Sequence, residues 1–242
     1  MKKRTRIILS VCLAIILVFG VGGYAYVSDY YHADETALEA MAYQTDSVQA
    51  KLDGNVTWFV PENPVAGLIF YPGGKVEYTA YAPLMRACAE NGILCALVRM
   101  PGNLAVLDAN AADGLQQEYP EVMTWYIAGH SLGGAMAAGY AAAHAKDFDG
   151  LILLAAYSTK NLTGTPLRVL SVYGSEDGVM NRESYEKNRA NLPADTTEVV
   201  LDGGCHAQFG SYGPQDGDGI PTISGEEQVR QTAEAIAAFV GQ

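Results

Sequence analysis

Basic residues are scarce in this chain of 242 residues. The chain contains fifteen lysines and arginines and twenty-seven aspartates and glutamates, which gives a net charge of −12. Four of the basic residues lie within the first six positions, so the rest of the chain is more acidic still. Because an acidic surface repels phosphate backbones, the composition predicts no nucleic-acid partner and disfavours strongly anionic substrates.

Cysteine is equally rare, and none of the four stands at a spacing typical of metal ligands. We therefore expect no metal, and no other motif in the chain implies an organic cofactor. Buried free thiols are the favoured interpretation of Cys88, Cys95 and Cys205, with a Cys88–Cys95 disulfide as the open alternative. Residues 215–219 read Gln-Asp-Gly-Asp-Gly, like the start of a calcium loop. The downstream bidentate glutamate is missing, so they predict a solvated turn.

Charge is absent altogether from residues 7–27, directly after the basic residues 1–6. A run of this length can cross a bilayer, and no clean Ala-x-Ala cleavage site follows it. The pattern favours an uncleaved transmembrane anchor over a signal peptide. It predicts a single-pass protein of the cell membrane with an extracytoplasmic domain, or a secreted one if the segment is cleaved. Residues 28–51 are then a linker with an amphipathic helix over 36–49, and residues 52–242 form the catalytic domain.

Short apolar runs alternate with helical stretches after the linker, and no internal repeat or low-complexity tract interrupts them. This alternation predicts an α/β fold, with a mostly parallel sheet and helices on both faces. No insertion is long enough for a separate lid domain. Strands are predicted at residues 56–60, 67–71, 94–98, 125–128, 151–155, 168–173 and 198–201, and helices at 81–90, 104–117, 132–145, 182–190 and 226–240.

Residues 129–133 read Gly-His-Ser-Leu-Gly, between an apolar strand and a helix rich in alanine and glycine. Glycines around a serine permit a tight strand-to-helix turn, the nucleophile elbow, that exposes a nucleophilic hydroxyl above a sheet. Ser131 is therefore the predicted nucleophile. A plain glycine turn with a capping serine is the alternative.

A serine hydroxyl needs a base, and the chain has only four histidines. His206 follows the last strand in a glycine-flanked loop, whereas His130 is predicted to point away from the nucleophile. A carboxylate must orient the base. Asp177, in the turn after a late strand, is the predicted residue, with Glu176 as the near alternative and Asp202 as a weaker one.

Two main-chain amides should bind the oxyanion that forms during acyl transfer. The amide of Leu132, directly after the nucleophile, is one. The other is predicted in the loop Tyr-Pro-Gly-Gly-Lys at residues 71–75, at Gly74 or, as the alternative, Lys75.

These motifs resemble the α/β-hydrolase superfamily over about residues 56–240. The sequences at 71–76, 129–134 and 206–210, followed by Asp-Gly-Asp-Gly, resemble a small lidless bacterial branch, the α/β-hydrolase fold-5 proteins. The resemblance implies catalytic roles for Ser131, Asp177 and His206 and an esterase-like activity. The oxyanion loop departs from the superfamily's frequent His-Gly start, which affects the second donor but not the triad.

The sequence thus predicts a serine hydrolase that transfers an acyl group from a small ester to water through an acyl-enzyme. An acyltransferase at the cell surface and a non-catalytic binding domain that retains the fold are the alternatives.

Overall fold

The computed structural model describes residues 3–45 and 47–241. It divides into two compact units, Met1–Tyr30 and Tyr31–Gln242.

The first unit is a single helix, α1, over Lys3–Ser28. Among the described residues, no helix is both long enough and apolar enough to cross a bilayer. The predicted transmembrane anchor at 7–27 and the single-pass location are therefore wrong, and the membrane association that rested on this anchor is not supported. Gly20, Gly22 and Gly23 contribute no apolar side chain, and Tyr24 and Tyr26 carry polar hydroxyls, so the last third of residues 7–27 is less apolar than the residues before it.

The second unit contains one eight-stranded sheet in the order β1-β2-β4-β3-β5-β6-β7-β8. Strands β1 and β2 are antiparallel to their neighbours, and the others are parallel. The strands are β1 Val48–Asp53, β2 Val56–Pro61, β3 Ala66–Tyr71, β4 Ile93–Val98, β5 Trp125–His130, β6 Gly150–Leu154, β7 Arg168–Gly174 and β8 Thr197–Leu201. The helices are α2 Glu35–Ala42, α3 Ala82–Glu90, α4 Leu132–Ala143, α5 Arg182–Asn188 and α6 Gly225–Val240.

Each buried strand supplies side chains to two cores, one on either face of the sheet, because successive residues of a strand point in opposite directions. In β3, Leu68 and Phe70 pack in the core that contains α3 and α6. Ile69 and Tyr71 pack in the core that contains α4. Helices on both faces therefore cover a sheet that is parallel over most of its width, as the alternation of strands and helices predicts.

Two segments differ from the sequence prediction. The helix predicted over 36–49 stops at Ala42, and Val48–Asp53 instead pairs with β2 as an edge strand. The sequence signal for this hairpin is the dipeptide Gly54-Asn55, which forms the two-residue loop between Asp53 and its partner Val56; Gly54 adopts φ 57°.

The helix predicted over 104–117 is replaced by short 3-10 turns at Pro101–Asn103, Ala105–Leu107 and Leu115–Glu118. Gly114 has φ 80°, a left-handed conformation that an α-helix cannot contain. Cys88, Cys95 and Cys205 are buried free thiols, so the alternative Cys88–Cys95 disulfide does not form.

The sheet's stability should depend on its two-sided burial. Leu153 in β6 is fully buried, whereas Leu52 on the edge strand β1 is 65% exposed. We expect Leu153→Ala to lower the free energy of unfolding by about 2–5 kcal/mol through lost burial and a residual cavity. The matched Leu52→Ala should change it by less than about 0.5 kcal/mol. Urea unfolding of both variants tests this; similar losses would contradict the observed burial.

Candidate active site

The loops that follow β3, β5, β7 and β8 meet at the carboxyl edge of the sheet. They carry residues 72–75, Ser131, Asp177 and His206, in that order of strands. Ligands of open parallel sheets bind outside this edge. The topology therefore brings all the predicted site residues to one side of the sheet.

Ser131 lies between β5 and α4 with φ 52° and ψ −121°. A non-glycine residue in this region of backbone space is strained, and such strain is concentrated at functional sites. The Ser131 amide donates to the carbonyl of Leu154 at 2.9 Å, which fixes the turn to β6. The side chain is partly exposed and makes no hydrogen bond to a described residue.

The glycines of the turn are required by close main-chain contacts. A Cβ on Gly129 would lie 2.5 Å from the carbonyl carbon of Gly133. A Cβ on Gly133 would overlap the carbonyl oxygens of Tyr71 and Pro72. No side chain fits at either position, so the Gly-x-Ser-x-Gly spacing follows from the packing of α4 onto β3 and β5.

His206 and Asp177 form a buried pair. The Nδ1 atom of His206 lies 2.9 Å from Oδ2 of Asp177, and the two residues are 1% and 8% exposed. The other oxygen of Asp177 accepts from the amides of Val179 at 2.9 Å and Met180 at 2.8 Å. An Nδ1–H bonded to a carboxylate leaves Nε2 as the proton acceptor of the neutral ring.

The alternative acids do not contact the histidine. Glu176 is exposed, and its carboxylate accepts from the hydroxyl of Ser175 at 3.0 Å. Asp202 is also exposed. Among the three candidate carboxylates, the structure brings only Asp177 to the ring of His206.

His130 is a site residue that sequence reasoning missed. Its ring lies against the ring of His206, with 4.5 Å between the centroids, a contact that the sequence does not predict. Burial, together with the nearby His206, lowers the pKa of His130 well below its usual value. The residue is therefore neutral at physiological pH. The apolar strand that ends at His130 was the only sequence signal of its burial.

Tyr81 determines which nitrogen of His130 carries the proton. The Tyr81 hydroxyl accepts from the amide of Gly73 at 3.0 Å and lies 2.8 Å from Nδ1 of His130. Burial raises the pKa of Tyr81, so the hydroxyl keeps its proton. It already accepts from Gly73, and Nδ1 of His130 is its one acceptor among the described residues, so it donates a hydrogen bond to Nδ1. The proton of neutral His130 therefore resides on the buried Nε2 atom.

The amide of Gly74 is available in the loop after β3. Its neighbours are both engaged: Gly73 donates to Tyr81, and Lys75 donates to the carbonyl of Asn103 at 2.8 Å. Gly74 donates to no described residue, and a Cβ on it would lie 2.7 Å from Cδ2 of Leu132. Leu132 opens α4, where the first amides have no partner one turn earlier. Neither amide has an acceptor among the described residues, and Gly74 lies against the side chain of Leu132, the residue after Ser131.

Among the described residues, no three His, Cys, Asp or Glu side chains converge as a metal site would require. The model of the alpha/beta hydrolase family matches residues 67–230, the greater part of the chain. The chain belongs to the alpha/beta hydrolase family. The resemblance indicated by the elbow and histidine motifs is thereby confirmed at the level of the family, which supports a hydrolytic function.

Solved structures share the alpha/beta hydrolase fold at low sequence identity. A CIB-like hydrolase from Thermoplasma acidophilum is 16% identical, with a TM-score of 0.58 over 79% of this chain and 99% of its own. TT1662 from Thermus thermophilus is 14% identical, with a TM-score of 0.58 over 81% of this chain and 99% of its own. No curated protein matches the sequence.

The hydroxyl of Tyr81 should be important for stability because it serves two buried groups. We expect Tyr81→Phe to lower the free energy of unfolding by about 1–3 kcal/mol, since it leaves the Gly73 amide and Nδ1 of His130 unpaired. Tyr43→Phe is the control, because Tyr43 is exposed and its hydroxyl bonds no described residue. Equal stability of the Tyr81→Phe variant and the unmodified protein would contradict the network.

The neutral His130 should make the hydrolase less stable in acid. When the pH is below the ordinary histidine pKa of 6.5, His130 binds a proton in the unfolded chain but stays neutral in the folded protein. The free energy of unfolding then falls by up to about 1.4 kcal/mol per pH unit as the pH decreases. In His130→Gln this part of the slope should disappear. Urea unfolding from about pH 7.5 to 5 measures it, and an unchanged slope in the variant would refute the expectation.

Proposed function

We propose that this hydrolase cleaves a small carboxylic ester through an acyl-enzyme formed on Ser131. The contact that carries the proposal is the 2.9 Å pair between His206 and Asp177, on the same edge of the sheet as the strained Ser131. Apo enzymes often hold catalytic hydrogen bonds that tighten only when substrate binds, so the free hydroxyl of Ser131 is compatible with this role.

Acylation begins as the Ser131 oxygen attacks the ester carbonyl carbon and Nε2 of His206 takes the hydroxyl proton. The Asp177 carboxylate stabilises the imidazolium that forms. The carbonyl oxygen becomes an oxyanion and accepts from the amides of Leu132 and Gly74. The tetrahedral intermediate then collapses: the ester C–O bond breaks, and His206 protonates the departing alkoxide.

Deacylation repeats these steps with water. His206 removes a proton from the water as its oxygen attacks the acyl carbon, and the same amides hold the second oxyanion. Collapse releases the carboxylic acid, and the proton on His206 returns to Ser131. The chain supplies the nucleophile, the base, its orienting acid and the oxyanion donors, and water is the second reactant.

Covalent labelling tests the nucleophile. We expect a fluorophosphonate probe to modify Ser131 and short-chain esters to be hydrolysed, with both reactions lost in Ser131→Ala. The decrease in kcat should reach about 10³-fold or more. Ser184→Ala, at a partly exposed position on α5, is the control and should retain full labelling. If Ser131→Ala cleaves esters at the normal rate, the proposal is wrong.

Replacement of the acid tests its contact with the base. Asp177→Asn keeps the size of the side chain but cannot stabilise the imidazolium, so we expect kcat to fall by about 10³- to 10⁴-fold with little change in KM. Glu176→Gln removes the same charge one residue earlier, where the side chain is exposed, and should leave kcat within about threefold. Comparable losses in both variants would argue against Asp177 as the orienting acid.

A further inference from the structure

The segment Gln-Asp-Gly-Asp-Gly at 215–219 was predicted to be a solvated turn. Asp216 fits this description because it is exposed. Asp218 does not, because it is partly buried and its carboxylate is surrounded by main-chain amides from other segments.

The carboxylate of Asp218 accepts hydrogen bonds from four main-chain amides. Its Oδ1 atom accepts from the amides of Gly178 at 3.1 Å, His206 at 3.1 Å and Gly219 at 2.9 Å. Its Oδ2 atom accepts from the amide of Ala207 at 2.8 Å. Three amides converge on Oδ1 and one on Oδ2, so main-chain donors from several segments bind both oxygens of the carboxylate.

Gly178 and Gly219 let the segment of Asp218 pack directly on the acid turn, which is the turn after β7 that carries Asp177. A Cβ on Gly178 would lie 2.6 Å from the carbonyl oxygen of Gly217. A Cβ on Gly219 would overlap the carbonyl oxygen of Glu176. Main chain thus packs against main chain. The carboxylate of Asp218 therefore lies between the acid turn and the histidine loop, which is the loop after β8 that carries His206.

The charge of Asp218 is maintained by these contacts. Burial alone would raise the pKa of the carboxyl group, but the amides of Ala207, Gly178 and His206 outweigh it and the net pKa is lowered. Hydrogen bonds to an ionised acceptor are stronger than those between neutral groups.

We propose that Asp218 is a positioning residue that ties the turn of Asp177 to the loop of His206 and so maintains their 2.9 Å contact. Gly178 directly follows the acid, and His206 itself is one of the donors. The positioning role in catalysis rests on the proposed serine-hydrolase function, whereas the tie between the two loops does not.

Hydrogen exchange of the full chain tests the tie without any need for activity. In Asp218→Ala, we expect amides in 176–180 and in 204–208 to exchange about tenfold faster or more, because both loops lose their common acceptor. Asp218→Asn should give a smaller increase, since its amide oxygen can still accept from Gly178 and His206. Asp216→Ala is the matched control and should change neither loop. Faster exchange confined to 215–220, or in neither loop, would overturn the proposal.

Kinetics separate positioning from a general effect on folding. We expect Asp218→Asn to lower kcat for the best ester about tenfold or more with KM within about threefold, at a temperature where the variant is fully folded. A residue with only a structural role would lower the melting temperature and leave kcat of the folded protein unchanged, which would refute the catalytic part. If the unmodified protein cleaves no ester, the proposed function fails, and the exchange result still decides whether Asp218 joins the loops.

Discussion

Ser131 adopts φ 52° because the chain must turn from β5 into α4 in a space where only main chain fits. The carbonyl groups of Tyr71 and Pro72 pack against Gly133, and Gly129 packs against the main chain of Gly133 and Gly134 at the start of the same helix. A strained residue persists only where its surroundings determine its conformation. Here the cost is offset by a sheet buried on both faces, so the rigidity of the fold and the exposure of the hydroxyl have one physical origin.

The other half of the site depends on polar contacts rather than on apolar packing. The histidine loop is irregular, and its amides cannot pair as a strand would. Buried amides without partners are costly, so side chains must satisfy them. Gln228 pairs with the amide and carbonyl of Cys205, and Asp218 accepts from the next two amides. These contacts give a loop of small residues the fixed geometry that the proposed role of His206 as general base requires.

Features encoded in local sequence could be predicted, and those created by tertiary contacts could not. Apolar runs located the parallel strands, and glycine spacing located the elbow, because both depend on neighbours along the chain. The edge strand at Val48–Asp53 arises from pairing with β2, so the weak helical pattern of that segment was misleading. Asp218 looked like one acid of a solvated turn, since nothing local shows that distant amides converge on it. The apolar run near the start predicted a membrane span that the described residues do not contain.

The neutrality of His130 bears directly on the chemistry of its neighbour. In the proposed mechanism, His206 becomes a cation while its ring lies 4.5 Å from that of His130. A second positive charge at this distance would raise the energy of the imidazolium by about 1–4 kcal/mol, depending on the local dielectric. That penalty would fall on the step in which His206 accepts the serine proton. Burial holds the pKa of His130 low, and donation from Tyr81 places its one proton on Nε2. Tyr81 and the deep burial of the elbow therefore do more than fill space: they keep the charge that forms during the reaction on a single ring, the one paired with Asp177.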